Sequence, residues 1–587
     1  MSFGFVVRRL MLNDQLNKTK TSLAGNPGWG KTIVAASTVC KLESKRSDSG
    51  EQSIVCYYFF NQADPLKSSS TCLAAYQAIA EQIFQKCHQI GAIHDIYALA
   101  NDGSKSSASE HELRDLLNMV MPMLSNFYLV LDGLDECSEI ERFTDNIRQF
   151  CDTSSAKIIL FSRPHVEPLR QTLKAEQTIT MLRTVMDEDI HIFIRGQINN
   201  LRLKNRFPSH ADYGSIEEKI VEQADGMFLW ARLMICYLKS PALTKSARMT
   251  TIFHTTPVGL QQLYDRILDQ ISHMDEASRQ LASTVFTWTA YALEDLTSEQ
   301  CADAFYPADA ADDPSEKKDF VDHAAIVVCC GLIEKRHNTL RFIHLTAKDH
   351  VLSLSSKSMG FLNPPPGEAH AEIAMRCLSY LLYSVPAQPL SGSLSIRACV
   401  FKIRLDYPLL SYAATRWVSH LLSCFTALST SYVAPKGLGK FEQILGLIQR
   451  FLSFPLNITV WIEAIFLFFK GFSIRSLEAS SELLQGPLKA LLSPQMFRTS
   501  EALSLFISDI KDIDSDWGLT LANAPHEIWG DVSSFKKSRF LAQNQGISID
   551  ILAPHHRDHE TKGADAFLCI GRKSSDYIGK LTIFASS

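Results

Sequence analysis

The chain has 587 residues, 46% hydrophobic and 21% charged, an ordinary globular balance at a length that suits about three to five domains. Its net charge of −5 argues against a general nucleic-acid-binding surface, though not against a local anion site made of backbone amides and one lysine. The 14 cysteines run from Cys40 to Cys569 with no CxxC and one adjacent pair, Cys329-Cys330; this is neither a disulfide framework nor a zinc arrangement and reads as reduced thiols in a cytoplasmic protein.

Residues 1–20 form a short N-terminal segment with no cleavage site after Arg8-Arg9, so no signal peptide is expected. Gly25-Asn26-Pro27-Gly28-Trp29-Gly30-Lys31-Thr32 then fits G-x-x-x-x-G-K-[ST] at every fixed position. Glycines let successive N–H groups curl around a polyphosphate, and a following helix points its positive end at the same anion. Lys31 would serve the β- and γ-phosphates, and Thr32 would offer its hydroxyl to Mg²⁺. The alternative is a glycine-rich turn that binds nothing. The required context is a strand before and a helix after; Ser22–Ala24 and Ile33–Cys40 supply it.

Ser53–Phe60 is a continuous apolar run, as a strand buried on both faces of a parallel sheet requires. Thr71–Gln85 and Glu110–Leu124 have helical spacing, separated by a polar loop at 101–109. Phe127–Leu131 is the next strand, ending in Asp132-Gly133-Leu134-Asp135-Glu136. A carboxylate at such a strand tip lies where a parallel sheet places its ligand crevice. Asp132 reads as the Mg²⁺ partner, and Asp135 and Glu136 as groups that orient or deprotonate an attacking water. A helix N-cap with an acidic first turn would use the same residues; the order after a phosphate loop favours the metal reading. The strand Lys157–Phe161 ends in Ser162-Arg163-Pro164, where Arg163 could reach a γ-phosphate or make a surface ion pair. Met181-Leu182 is a short apolar stretch, and Asp187-Glu188-Asp189 read as the cap of a helix beginning at Ile190.

Helices dominate beyond this point: Ile216–Ala224, the nearly all-apolar Met227–Leu238, Leu260–Ile271 and 278–293. Two short strands, Ile333–Arg336 and Thr339–His344, then give the outline of a winged helix. Pro364-Pro365-Pro366-Gly367 marks a boundary, after which the chain is helical to about Ile510, with weak loops at 386–396 and 429–440. Ile458–Phe469 is too short to span a bilayer and suits a buried helix. Because the cysteines read as those of a cytoplasmic protein, the sequon at Asn457 is expected to carry no glycan. Short alternations at 547–551 and 581–584 predict two to four strands in the tail. His555, His556 and His559 fit a polar loop better than a metal site, because no cysteine supports them.

Six motifs agree in order and spacing: GNPGWGKT, YLVLDGLDE, KIILFSRP, GMFLWARLMI, PVGLQQLYDRIL and CCGLIEKRHNTLRFIHLT. Over residues 15–355 the chain resembles the NACHT class of signal-transduction NTPases (STAND, NLR-like) of filamentous fungi. A weaker likeness runs through LLSYAATRWVSHL, FLSFPLNITVWIEAI and APHEIWGDVSSF, which resemble the helical stretch before a C-terminal repeat array, often a β-propeller.

The resemblance implies an α/β P-loop NTPase domain with a parallel sheet, then helical and winged-helix domains, a further α-helical region and a short β-rich tail. The expected bounds are 21–185, 186–275, 276–358, 367–510 and 511–587. It implies an ATP/ADP-dependent switch with Mg²⁺ and slow hydrolysis, self-association on ATP binding, and a protein effector or adaptor as partner, in innate-immune non-self recognition or programmed cell death. Carried over by position, Gly25 to Thr32 would hold phosphates, Thr32 and Asp132 the metal, and Asp135 and Glu136 would serve hydrolysis. Arg163 would sense the γ-phosphate, and His344 would hold the ADP β-phosphate, unless it is a core histidine under the hairpin. The chain departs from the family at Gly226-Met227, where related switches place a proline beside the adenine. No effector domain is expected before residue 25, and the repeat region is expected to stop after its first strands, as in an adaptor-like variant or a truncated gene product. A non-hydrolysing scaffold with a relic loop is the alternative, opposed by the intact Lys31, Thr32, Asp132 and Glu136. A nucleic-acid helicase is disfavoured by charge and by the lack of a basic, aromatic-studded groove, and no membrane span is expected.

Overall fold

The structure, a computed structural model, describes residues 20–26, 28–44, 53–60, 70–87, 108–164, 166, 167, 169, 178–181, 183–240, 243–305, 320–336, 338–354, 362, 364–394, 396–430, 438–536, 538–542, 549–551, 568–572 and 581–585. Pro27, the histidines at 555, 556 and 559, and most of the 101–109 and 429–440 loops lie outside the described residues.

The first unit alternates strands and helices: β1 (Lys20–Ala24), α1 (Lys31–Ser44), β2 (Ile54–Phe59), α2 (Cys72–Cys87), α3 (Glu110–Val120), β3 (Phe127–Asp132), α4 (Ile140–Thr153), β4 (Lys157–Ser162) and β5 (Thr178–Thr180). The five strands form one sheet in the order β2-β3-β4-β1-β5, and all its pairs are parallel. Period-two alternation distributes β3 between two cores. Phe127, Leu129 and Leu131 pack with α2, α3 and α4, while Tyr128 and Val130 face α1 and the helices that follow. All six residues of β3 are buried, as a strand covered on both faces should be.

The short edge strand β5 carries no apolar run, and the sequence does not signal it. Its successor Met181 donates its N–H to Ala24 O at 2.8 Å. The chain then enters α5 (Arg183–Leu203) directly, so Asp187-Glu188-Asp189 lie inside that helix and do not cap one at Ile190. The first turn is held instead by Arg183, which pairs with Asp187 and with Asp225.

Helices α6 (Tyr213–Ala224), α7 (Phe228–Lys239), α8 (Lys245–Phe253) and α9 (Gly259–Ser272) follow. Helix α7 is buried nearly all round, with Trp230 donating its indole N–H to Pro257 O at 3.2 Å. Next come α10 (Glu276–Tyr291), α11 (Ser298–Phe305), the antiparallel hairpin β6 (Ile333–Arg336) and β7 (Thr339–Phe342), and α12 (Leu345–Leu352).

A helical region completes the packed body: α13 (Pro366–Ser379), α14 (Val400–Asp406), α15 (Leu410–Thr430), α16 (Leu438–Leu452), α17 (Pro455–Phe468), α18 (Ile474–Gln485), α19 (Pro494–Asn523) and α20 (Asp531–Phe535). Helix α19 runs on past residue 510. The three weaker-likeness segments meet in its core. Trp417 and Trp461 lie edge to face at 6.1 Å, Trp461 Nε1 donates to Ala414 O at 2.9 Å, and Trp529 Nε1 donates to Glu463 Oε2 at 2.7 Å. Helix α17 is a buried core helix, and the Asn457 amide donates to Leu381 O at 3.0 Å from a buried position. Among the described residues no single helix is long and apolar enough to cross a membrane. In the tail, β8 (Ile549–Ile551), β9 (Leu568–Arg572) and β10 (Leu581–Ala585) form a sheet in the order β8-β10-β9.

Candidate phosphate-binding site

The parallel sheet brings the tips of β1, β4 and β3 to one edge: Ala24 lies opposite Ser162, and Gly25 N–H donates to Ser162 O at 3.2 Å. The loop from β1 to α1 needs left-handed backbone at Gly28 (φ 79°) and Gly30 (φ 76°), which glycine adopts without strain. Helix α1 starts at Lys31, with Val34 N–H bonded to Gly30 O at 3.0 Å. Its N-terminus therefore faces the crevice beyond the strand tips, the expected position for a phosphate.

Lys31 folds back over the loop, its Nζ donating to Gly25 O at 2.8 Å and Asn26 O at 3.1 Å. Burial pulls its pKa down, opposed by the charges of Asp135, Asp132 and Glu136. Those acids all act on the one lysine, so the two sequence motifs form one site.

Asp132 ends β3 and caps no helix: Gly133 (φ 73°) turns the chain left-handed into a short 3-10 turn, Leu134–Glu136, and α4 begins only at Ile140. A Cβ at residue 133 would meet Phe60 O at 2.8 Å, so only glycine fits there. Asp132 is 3% exposed, and burial pushes its carboxyl up to about 6, against the Thr32 hydroxyl bond and the Lys31 charge. Its Oδ1 is buried without a hydrogen-bond partner. A buried carboxylate oxygen left open beside a threonine hydroxyl suits a hard divalent cation, so the residues fit Mg²⁺.

Asp135 and Arg163 are engaged with each other. The Arg163 N–H donates to Asp135 Oδ1 at 3.1 Å, and Arg163 Nε meets Oδ2 at 2.8 Å. Arg163 thus makes an ion pair at the strand tip, beside the crevice.

Two later segments approach the loop. Leu229 N–H, at the start of α7, donates to Gly28 O at 3.2 Å. A Cβ on Gly226 (φ 75°) would lie 3.3 Å from the Trp29 ring, and one on Gly28 would lie 3.4 Å from Leu229 and 3.8 Å from Leu260. The Trp29 side chain therefore seats against the helical module, at the position where the sequence lacks a proline. His344 caps α12: Thr346 N–H donates to His344 Nδ1 at 3.1 Å, and Tyr264 bonds the Thr346 hydroxyl at 2.9 Å. With Nδ1 accepting, the ring proton sits on Nε2. Burial, then the charges of Lys31 and Arg163, lower the His344 pKa to about 4. His344 is thus neutral and within the field of the phosphate-site cations. Leu229 and Met181 escape sequence reading because each supports the site through backbone or packing, and Tyr264 and Thr346 because their hydroxyls meet across 82 residues of sequence. Among the described residues no cluster of three metal-ligating side chains occurs.

A family profile described as Nephrocystin 3, N-terminal, matches residues 9–163. The Vegetative incompatibility protein HET-E-1 of Podospora anserina is 25% identical over 466 residues, which is 75% of this chain and 33% of that protein. The chain thus spans about a third of the relative's length. Of solved structures, the Aeropyrum pernix ORC1 protein in complex with DNA aligns over 59% of this chain and 91% of its own at 14% identity, with a TM-score of 0.26. Drosophila ORC bound to GC-rich DNA and Cdc6 aligns over 82% of this chain and 70% of its own at 11% identity, with a TM-score of 0.19. The profile over the P-loop unit and the relative matched over three quarters of the chain together support a fungal NACHT-type NTPase.

Proposed function

We propose that the chain is an ATP/ADP-dependent switch with slow hydrolysis, in which nucleotide exchange loosens the covering modules and drives self-association. The observation that carries this reading is the convergence of three modules on one loop. Leu229 N–H binds Gly28 O, Gly226 backs Trp29, and His344 feels Lys31 and Arg163. A metabolic ATPase has no need to seat later segments against its phosphate loop, whereas a switch that reports nucleotide state does.

Bound Mg²⁺-ATP supplies the scissile phosphoryl group and a cation to neutralise it. The loop amides and Lys31 hold the phosphates, and Thr32 and Asp132 hold the cation. Asp135 commits both oxygens to Arg163, so positioning of the attacking water falls to Glu136. A γ-phosphate would compete with Asp135 for the Arg163 guanidinium. Neutral His344 offers an Nε2–H donor from the far side. The hairpin and its helices serve as the winged-helix cover. The name of the Podospora relative supports a role in fungal incompatibility. Non-self recognition or cell death as the output, and a protein effector as partner, belong to the proposal.

The test is the nucleotide that co-purifies with the full chain. Tightly bound ADP, absent from Lys31→Ala, is the expected result; an empty wild-type protein would overturn the reading.

A further inference from the structure

Away from the phosphate site, a chain of three hydrogen bonds crosses the seam between the hairpin unit and the helical region. Leu293 N–H, just after α10, donates to the Tyr412 hydroxyl at 3.1 Å. That hydroxyl meets His420 Nε2 at 2.8 Å, and His420 Nδ1 lies 2.8 Å from His370 Nδ1. Tyr412 and His420 are fully buried on α15; His370 on α13 is half-buried, packed edge to face against Tyr291 of α10 at 5.5 Å. We propose that His370 and His420 form an acid-sensitive latch on this seam, closed while both rings are neutral and weakened when mildly acidic solution adds a proton.

The proton count follows from the partners. The Tyr412 hydroxyl accepts from Leu293, so its own proton goes to His420 Nε2; His420 then carries its proton on Nδ1 and donates to His370 Nδ1. A proton added at His370 Nδ1 would set two N–H groups head to head. One added at His420 Nε2 would displace the Tyr412 proton and leave a buried cation in the field of Arg416. Either one costs the seam a hydrogen bond. Burial lowers both histidine pKa values, that of His420 to about 3, with the charges of His370 and Arg416 acting in the same direction.

Among the described residues neither ring bonds a carboxylate, and the nearby charges are engaged elsewhere. Arg416 pairs with Glu294 at 3.4 Å, and Lys440 of α16 pairs with Glu368 and Glu372 of α13. On α11, Asp303 accepts from the Tyr380 hydroxyl at 2.7 Å and, through its carbonyl, from Arg376 at 2.6 Å. Helices α17 and α18 also pack on α15; there Glu463 accepts from Leu390 and Trp529, and Glu478 pairs with Lys511. Burial raises the thiols of Cys377 and Cys424, which stay neutral.

The docked pair takes up protons less readily than the released chain, whose histidines titrate near about 6.5. The seam is therefore fully held above that pH and weakens as pH falls below it, by about tenfold for each histidine at pH 5.5.

Amide hydrogen exchange on the full chain without nucleotide, corrected for the intrinsic effect of pH on exchange, tests the latch. Between pH 7.5 and pH 5.5, protection across 290–294 and 410–421 should fall about a hundredfold in the wild type. His370→Asn keeps an acceptor oxygen for His420 but does not titrate. It should hold its protection at pH 7.5 and lose only about tenfold at pH 5.5. Exchange at the histidine C2 carbons, read by mass spectrometry on the wild type, should give midpoints for both rings at least about one pH unit below those of the urea-unfolded chain. Equal pH responses in wild type and variant would overturn the proposal, as would midpoints that match the unfolded chain. These readouts need no nucleotide, so they stand whether or not the switch reading does.

Discussion

Asp132 in the sheet unit and Glu463 in the helical region each leave one buried carboxylate oxygen without a hydrogen-bond partner. Their surroundings differ. Glu463 is fully buried, and its other oxygen accepts from Leu390 N–H at 3.0 Å and Trp529 Nε1 at 2.7 Å, so it pins a loop and a 3-10 turn to one helix. Burial raises its pKa, and no neighbouring charge opposes this. Around Asp132 the Thr32 hydroxyl, Lys31, Glu136 and Asp135 all act on the same carboxyl. An open buried oxygen is thus a sign of a ligand site only where other charged groups converge on it; alone, it belongs to a core staple.

The comparison breaks most sharply under isosteric substitution. Asp132→Asn keeps the volume and removes the charge a cation needs, so Mg²⁺-dependent hydrolysis should fall by about a hundredfold or more. Glu136→Gln should lower turnover by a similar factor while nucleotide binding is retained. Single-turnover rates on loaded protein separate the two effects. Retention of Mg²⁺-dependent turnover in Asp132→Asn would remove the metal role.

At Glu463 the ranking should reverse, with stability as the readout. Glu463→Ala strands the Trp529 indole N–H and the Leu390 N–H and opens a cavity, at a cost of about 3 kcal/mol. Glu463→Gln still offers an acceptor oxygen and should cost only about 1 kcal/mol. Urea unfolding of the helical region, followed by tryptophan fluorescence, checks both. Equal losses in the two variants would mean that volume, not the hydrogen bonds, matters there.

These two carboxylates also mark how far the sequence could be read. Strand β3 is an unbroken apolar run, and its acidic end stands at a motif distance from the glycine loop, so Asp132 was legible from local pattern alone. Helix α17 was legible as buried, but the partners of Glu463 lie 73 and 66 residues away in sequence, and nothing local announces them. The same holds for the Asp135–Arg163 pair, 28 residues apart, and for Trp29 against Gly226. Strand β5 was missed because three residues at a sheet edge, two of them exposed, carry no period. The start of α5 was misplaced because an acidic triplet in a helix interior looks like a first turn.

A smaller effect is expected at the seam over the loop. Gly226→Ala must hold a left-handed φ of 75° and press a methyl to 3.3 Å from the Trp29 ring, costing about 1–2 kcal/mol. If this contact keeps the loop covered, the variant should release a fluorescent ADP analogue about fivefold faster, with a change in Trp29 emission. Unchanged release would assign Trp29 to packing alone.

The pH response should separate the two carboxylates most finely. Burial raises Asp132 from an ordinary value of 3.8 to about 6. In the nucleotide-free protein the folded state therefore holds its proton longer than the unfolded chain does. Stability is lost as pH climbs from about 4 through 6 and changes no further above that. A cation reverses the sign, because it binds the ionised form and competes with the proton. Mg²⁺ affinity should fall about tenfold for each pH unit below 6 and level off above it. Asp132→Asn should abolish that slope. Glu463, raised by burial but facing no cation site, should contribute a stability slope that Mg²⁺ leaves untouched. Isothermal titration with Mg²⁺ and ADP between pH 5 and pH 8, on wild type and Asp132→Asn, reads the difference directly. A Mg²⁺ affinity flat across that range would mean that the open oxygen of Asp132, like that of Glu463, belongs to the core.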